Sequence, residues 1–86
     1  MLMLRLFKVK ELLGLKANGT IYNLIKKGLF TKPVRISDRA VGWPAHEVHA
    51  ILQARISGAN DSKICLLVFD LHAARIESPD PTGYLL

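Results

Sequence analysis

Apolar residues recur at helical spacing in four stretches of this chain, separated by glycine, proline and small polar residues. Val9, Leu12 and Leu13 fall at i, i+3 and i+4, which predicts one face of a short helix from about Phe7. Gly14 stands where a left-handed residue would close that helix, and Leu15 where the accompanying apolar contact would fall. Ile21, Leu24 and Ile25 repeat the spacing, with Asn18 as the expected N-cap and Gly28-Leu29 as a second Gly-Leu ending. Two short helices joined by a few residues predict a helix-turn-helix. Leu4-Arg5-Leu6 reads as a short extended lead-in.

The pattern then changes. Residues 32–36 and 40–43 are short β-prone runs around Ser37-Asp38-Arg39, a hairpin with a three-residue tip. Pro33 confines its strand to an edge, which suits a protruding wing carrying Arg35 and Arg39. Trp43 is expected in the core, where its indole covers the junction between wing and third helix. Pro44 suits a first helical position, and Val48, Ile51, Leu52 and Ile56 mark the third helix, closing near Ser57-Gly58.

Asn60-Asp61-Ser62 offers a cap for a fourth helix running to about Glu77, although a buried strand through residues 64–69 fits the same apolar run. Its apolar residues form two stripes: Ile64, Leu67, Val68 and Leu71, and, about a third of a turn away, Cys65, Phe69 and Ile76. A surface helix needs only one, so the second predicts an oligomerisation surface. Residues 78–86 carry two prolines and a glycine and are expected to form a loose tail.

The fold expected is therefore mainly α with a small β-hairpin. Residues 1–57 would form a winged helix-turn-helix domain, 58–77 a C-terminal helix for packing or oligomerisation, and 78–86 the tail.

Charge sharpens this picture. The 86 residues carry a net +5, unevenly spread. Residues 1–43 hold nine Lys/Arg against two acids, a net +7, and residues 44–86 hold three against five, a net −2. A basic half joined to a slightly acidic half points to a part that binds a polyanion. Opposite Ile21, Leu24 and Ile25, the second helix presents Gly19, Asn23 and Lys26, flanked by Thr20, Tyr22 and Lys27, with no acid among them. Small, amide-bearing and cationic side chains suit a helix in the major groove of double-stranded DNA.

Other chemistries lack their residues. One cysteine, Cys65, leaves no intramolecular disulfide or four-thiolate zinc site and has no evident base beside it. His46 and His49 are three apart rather than at metalloprotease spacing, and no glycine-rich phosphate loop is present. An enzyme, a metal site and a cofactor are not expected. The amino-terminal residues do not read as a secretion signal, and the longest apolar run, six residues, is far below the ~20 needed to span a bilayer. A cytoplasmic protein without membrane attachment is expected.

Five words in order make a specific resemblance: Leu4-Arg5-Leu6, Gly14-Leu15, the run from Thr20 to Gly28, the run from Phe30 to Ile36, and the run from Arg39 to Trp43, followed by a weaker sixth, Glu47-Val48 with Ala54-Arg55-Ile56. Together they resemble the AlpA family of prophage regulators, related to excisionases and to MerR-like winged helix-turn-helix proteins. The family usually places three polar residues, often including an arginine, between the first Gly-Leu and Thr-Ile-Tyr; here Lys16-Ala17-Asn18-Gly19 intervene. Thr31 replaces a frequent proline, and Ile51 stands where tryptophan is common. The resemblance implies binding near a phage-type integrase gene, either to switch on its transcription or to bend DNA as an excision cofactor.

On this reading Asn23 presents its amide to a base edge and Lys26 reaches guanine or phosphate. Lys16, Lys27 and Lys32 hold phosphates, Arg35 or Arg39 enters the adjacent minor groove, and Asn18, Thr20 and Tyr22 complete the contact set. The partners expected are double-stranded DNA and, through Cys65, Phe69 and Ile76, a second copy or another protein. The competing function is an anti-repressor-like interaction module acting through the fourth helix.

Overall fold

The structure, a computed structural model, describes residues 2–77; the expected tail, 78–86, lies outside them. In chain order the elements are β1 (Met3–Leu4), α1 (Leu6–Leu13), α2 (Asn18–Lys26), β2 (Val34–Ser37), β3 (Ala40–Pro44), α3 (Ala45–Ile56) and α4 (Asp61–Glu77). The architecture is mainly helical with a small three-stranded antiparallel sheet, ordered β1-β3-β2. It is consistent with a winged helix-turn-helix.

Three helices end in the same way. Gly14, Gly28 and Gly58 have φ of 72°, 77° and 92°, a region open to glycine at no steric cost. After α1, Leu15 N–H donates to the Lys10 carbonyl at 2.8 Å and Gly14 N–H to that of Glu11 at 3.1 Å. Leu29 and Gly28 repeat the pair onto Leu24 and Ile25, and Ala59 and Gly58 onto Ala54 and Arg55. This is the Schellman motif, which satisfies the last carbonyls of a helix and turns the following apolar residue inward. Leu15, Leu29 and Ala59 accordingly pack on the core.

The helix beginnings differ from the sequence reading. Asn18 is the first residue of α2, Ala17 is its cap, and no side chain caps that end. Asn18 and Gly19 are thus helical, so two of the four residues before Thr20 extend the helix instead of merely lengthening the turn. Pro44 closes β3 and caps α3 instead of opening the helix. Only α4 has the predicted amide cap, with Asn60 Oδ1 accepting from Lys63 N–H at 3.0 Å.

The sheet also departs from expectation. The lead-in is a strand only at Met3–Leu4, paired with Pro44 and Trp43; Arg5 caps α1 and Leu6 is already helical. This third strand was not predicted. The hairpin tip is two residues, Asp38-Arg39, with a register shift between Arg35 and Ser37. β2 is an edge strand, as Pro33 required, though it begins after that proline at Val34. Gly42 lies on central β3, where a Cβ would come within 2.7 Å of Ile36 Cδ1 and 3.0 Å of the Leu4 carbonyl oxygen. A side chain there would push against both neighbouring strands.

One core takes a residue or two from almost every element: Val9 (α1), Ile21 (α2), Phe30, Trp43 (β3), Val48 and Ile51 (α3), Ile64 and Val68 (α4). The run at 64–69 is helix, and its Ile64, Leu67, Val68, Leu71 stripe faces that core. Ile56, expected on the buried face of α3, is exposed instead. It is the last residue of its helix.

Candidate nucleic-acid interface

Burial of Ile21, with Leu24 and Ile25 packed behind it, turns the other side of α2 outward. Asn18, Tyr22 and Lys26 form one exposed row at i, i+4 and i+8, and Gly19, Asn23 and Lys27 a second row beside it. The two rows make a continuous strip of amides, one phenol and two ammonium groups, with no carboxylate anywhere on the helix. Thr20 is only partly exposed, so it borders the strip. The face is therefore centred further toward Asn18 and Tyr22 than the periodicity placed it. No Cβ at Gly19 would meet any atom within 4 Å, leaving the backbone of the first turn open to close approach.

Lys16 lies exposed in the turn before this strip, its carbonyl accepting from Lys10 Nζ at 3.4 Å. Arg39 is exposed at the hairpin tip and makes no ion pair among the described residues, whereas Arg35 faces Asp38 at 3.6 Å. Surface pairs of this kind contribute little, but Asp38 reduces the local positive potential at Arg35. Arg39 is the wing's unopposed cation.

Lys32 holds the middle ground. Its side chain is exposed, while its backbone is held at both ends: its N–H donates to His72 Nε2 at 3.1 Å, and its carbonyl accepts from Arg75 Nη2 at 2.7 Å. One residue earlier, the Thr31 carbonyl accepts from Trp43 Nε1 at 2.8 Å. Trp43 is fully buried and stacks at a tilt on Phe30, with ring centroids 6.1 Å apart. It thus secures the segment joining α2 to the wing. Thr31 Oγ1 is buried without a hydrogen-bond partner among the described residues.

Behind this segment lies a cluster that the sequence reading missed. Glu47 of α3 is fully buried, and Arg75 of α4 grips it with two hydrogen bonds, Nε to Oε2 at 2.7 Å and Nη2 to Oε1. The His72 pKa is lowered, first by burial and then by the Arg75 guanidinium, with Glu47 opposing and Lys32 adding to the shift. The signal was present in the spacing: Val68, Leu71, His72 and Arg75 fall at i, i+3, i+4 and i+7 on the buried side of α4.

On the other side of α4, Leu66 and Phe69 are exposed, Phe69 at 71% of its surface. Cys65 is exposed too, but its thiol lies 3.8 Å from the Lys27 carbonyl, against the end of α2. Ile76 belongs to α4 and its side chain lies outside those described. His46 and His49 are exposed on α3. Among the described residues no group of three or more His, Cys, Asp or Glu is placed to hold a metal ion, and no helix is long and apolar enough to cross a membrane.

Two short helices, the second exposing an amide and lysine strip, followed by a hairpin with a cationic tip, are consistent with a winged helix-turn-helix-like build. The chain belongs to the AlpA family: residues 2–56 match the family described as prophage CP4-57 regulatory protein (AlpA). It is similar to uncharacterized protein ORF88 of Enterobacteria phage P4, 42% identical over 55 residues, which cover 64% of this chain and 61% of that protein. No solved structure matches it. Membership in a family described as prophage regulatory is consistent with a regulatory role.

Proposed function

We propose that this protein regulates by binding double-stranded DNA in a sequence-specific manner, at a phage or genomic-island gene for integration or excision. The observation that carries this reading is the exposed α2 strip, with Asn18, Tyr22, Asn23, Lys26 and Lys27 projecting and no acid among them. In the major groove Asn23 offers the donor and acceptor pair that matches adenine, and Lys26 offers a donor to guanine or phosphate. Lys16, Lys27 and Lys32 neutralise phosphates and fix the register. Arg39 reads the charge or width of the neighbouring minor groove. Family membership supports the regulatory role.

The test is direct titration of the purified protein onto the DNA flanking its own gene, across a salt series. With about five phosphate contacts, log K falls against log salt with a slope of about −4 to −5. Asn23→Ala should cost about 1–3 kcal/mol on the best site and blunt discrimination at one base pair, while Arg39→Ala weakens binding more evenly across sequences. An affinity flat between low and physiological salt would remove DNA binding as the main role.

A second reading has its own observation, the exposed Leu66 and Phe69 on α4. It makes the protein an interaction module that acts on another regulator. Phe69→Asp would then abolish regulation while leaving any DNA affinity intact.

A further inference from the structure

Residues 27–33 join the end of α2 to the start of β2; residues 27–29 bond back onto α2, and residues 30–33 lie in neither helix nor strand. Side chains supply partners to the backbone of this segment. Trp43 takes the Thr31 carbonyl, His72 takes the Lys32 N–H and Arg75 takes the Lys32 carbonyl. Two of these three side chains come from α4. That helix lies wholly outside the family-matched residues 2–56.

We propose that α4 sets the angle between the α2 strip and the wing, with His72 and Arg75 as positioning residues acting through the backbone of Lys32. The proposal rests on the DNA-binding reading only for its functional consequence. Arg75 suits the task because a guanidinium is a rigid planar fork with five donors. Glu47, fully buried, takes two of its bonds, and that grip fixes the plane from which Nη2 reaches the Lys32 carbonyl. A lysine at 75 would keep the charge beside Glu47 but has no fork to hold both acceptors. His72 must present an unprotonated Nε2, since that nitrogen accepts from the Lys32 N–H. The charged groups around it are Arg75 on its own helix, Glu47 on α3 and the Lys32 ammonium on the joining segment. Holding Lys32 at both ends also fixes where its ammonium leaves the surface, between the α2 strip and the wing.

The experiment compares full-length wild type with His72→Leu, His72→Gln and Arg75→Lys. The first readout needs no DNA: residual dipolar couplings of the α2 and β2–β3 amides report the angle between helix and wing. His72→Leu and Arg75→Lys should change that angle, and His72→Gln, whose amide oxygen can accept the same bond, should restore the wild-type couplings. The second readout is affinity for a short duplex of mixed sequence at low salt, in a double-mutant cycle with Arg39→Ala. The factor lost on removing Arg39 should shrink at least about threefold in the His72→Leu background, as expected for coupled positions. Unchanged couplings in both His72→Leu and Arg75→Lys would overturn the proposal, as would strict additivity with Arg39→Ala. If the couplings move as expected but the wild type does not bind duplex, the positioning role stands and the DNA-binding reading falls. Should His72→Leu lose its cooperative melt, Arg75→Lys carries both comparisons.

Discussion

Arg75 Nε donates to Glu47 Oε2 at 2.7 Å across the contact between α3 and α4, with the carboxylate wholly removed from solvent. An ion pair of this kind stabilises little relative to a well-packed apolar pair, because both charges lose hydration. Breaking it from one side is costly. Arg75→Ala should therefore destabilise the fold by about 3–5 kcal/mol in urea unfolding, since it strands a buried carboxylate. The double variant Glu47→Leu/Arg75→Leu should recover most of that loss. A double variant as unstable as Arg75→Ala alone would mean that the guanidinium's bond to Lys32, and not the buried charge, dominates.

His72 makes stability depend on pH. Burial and the neighbouring cations hold its pKa below the ordinary imidazole value, so the unfolded chain takes up its proton at a higher pH than the folded one. Between those two values the unfolded state carries more protons, and stability rises with pH. The contribution is complete above the ordinary imidazole pKa and is lost as pH falls through the lowered folded value. Denaturant midpoints of wild type minus those of His72→Gln, followed on acidification, should show this decline. A flat difference would remove the linkage.

Thr31 is the opposite case, a buried hydroxyl without a hydrogen-bond partner among the described residues. Replacing it with valine keeps the shape and removes the desolvated oxygen. Thr31→Val should leave stability unchanged or raise it by up to about 1–3 kcal/mol. The Thr31 carbonyl, which accepts from Trp43, is untouched by the change. A marked loss of stability would show that the hydroxyl has a partner in solution.

Phe69 projects from α4 with most of its surface exposed, so an acid there meets no intramolecular core. Phe69→Asp should fold with the wild-type melting behaviour. It should also shift sedimentation toward monomer, because a charge in an apolar contact between copies is strongly unfavourable. A wild type that sediments as monomer at high micromolar concentration would remove self-association through this face.

Local chemistry was readable wherever one residue's conformational preference decides the outcome. Gly14, Gly28 and Gly58 end helices because glycine takes positive φ without cost, and each is followed by an apolar residue that the motif turns inward. The α2 strip was readable for a similar reason: burying Ile21 leaves its opposite face to solvent whatever the rest of the fold does. Thr20 borders the strip, as its angle on the wheel placed it, but only packing by neighbouring elements gives the depth of each position.

The first three amphipathic segments, the hairpin, the Trp43 core position and the cationic face of α2 were thus determined by sequence alone, through periodicity, turn chemistry and the uneven spread of charge, whereas helix against strand at 64–69 was decided only by the structure. Tertiary structure alone decided what pairs across the chain. A two-residue strand such as Met3–Leu4 carries no pattern of its own and exists because β3 offers it an edge. Glu47 and Arg75 are 28 positions apart, and a carboxylate or guanidinium by itself reads as solvated surface. The same holds for Lys32, whose backbone partners lie 40 and 43 residues away. Such contacts depend on how two helices pack. That packing is set by the shared core of Ile21, Val48, Ile64 and Val68 as a whole, and no local propensity encodes it.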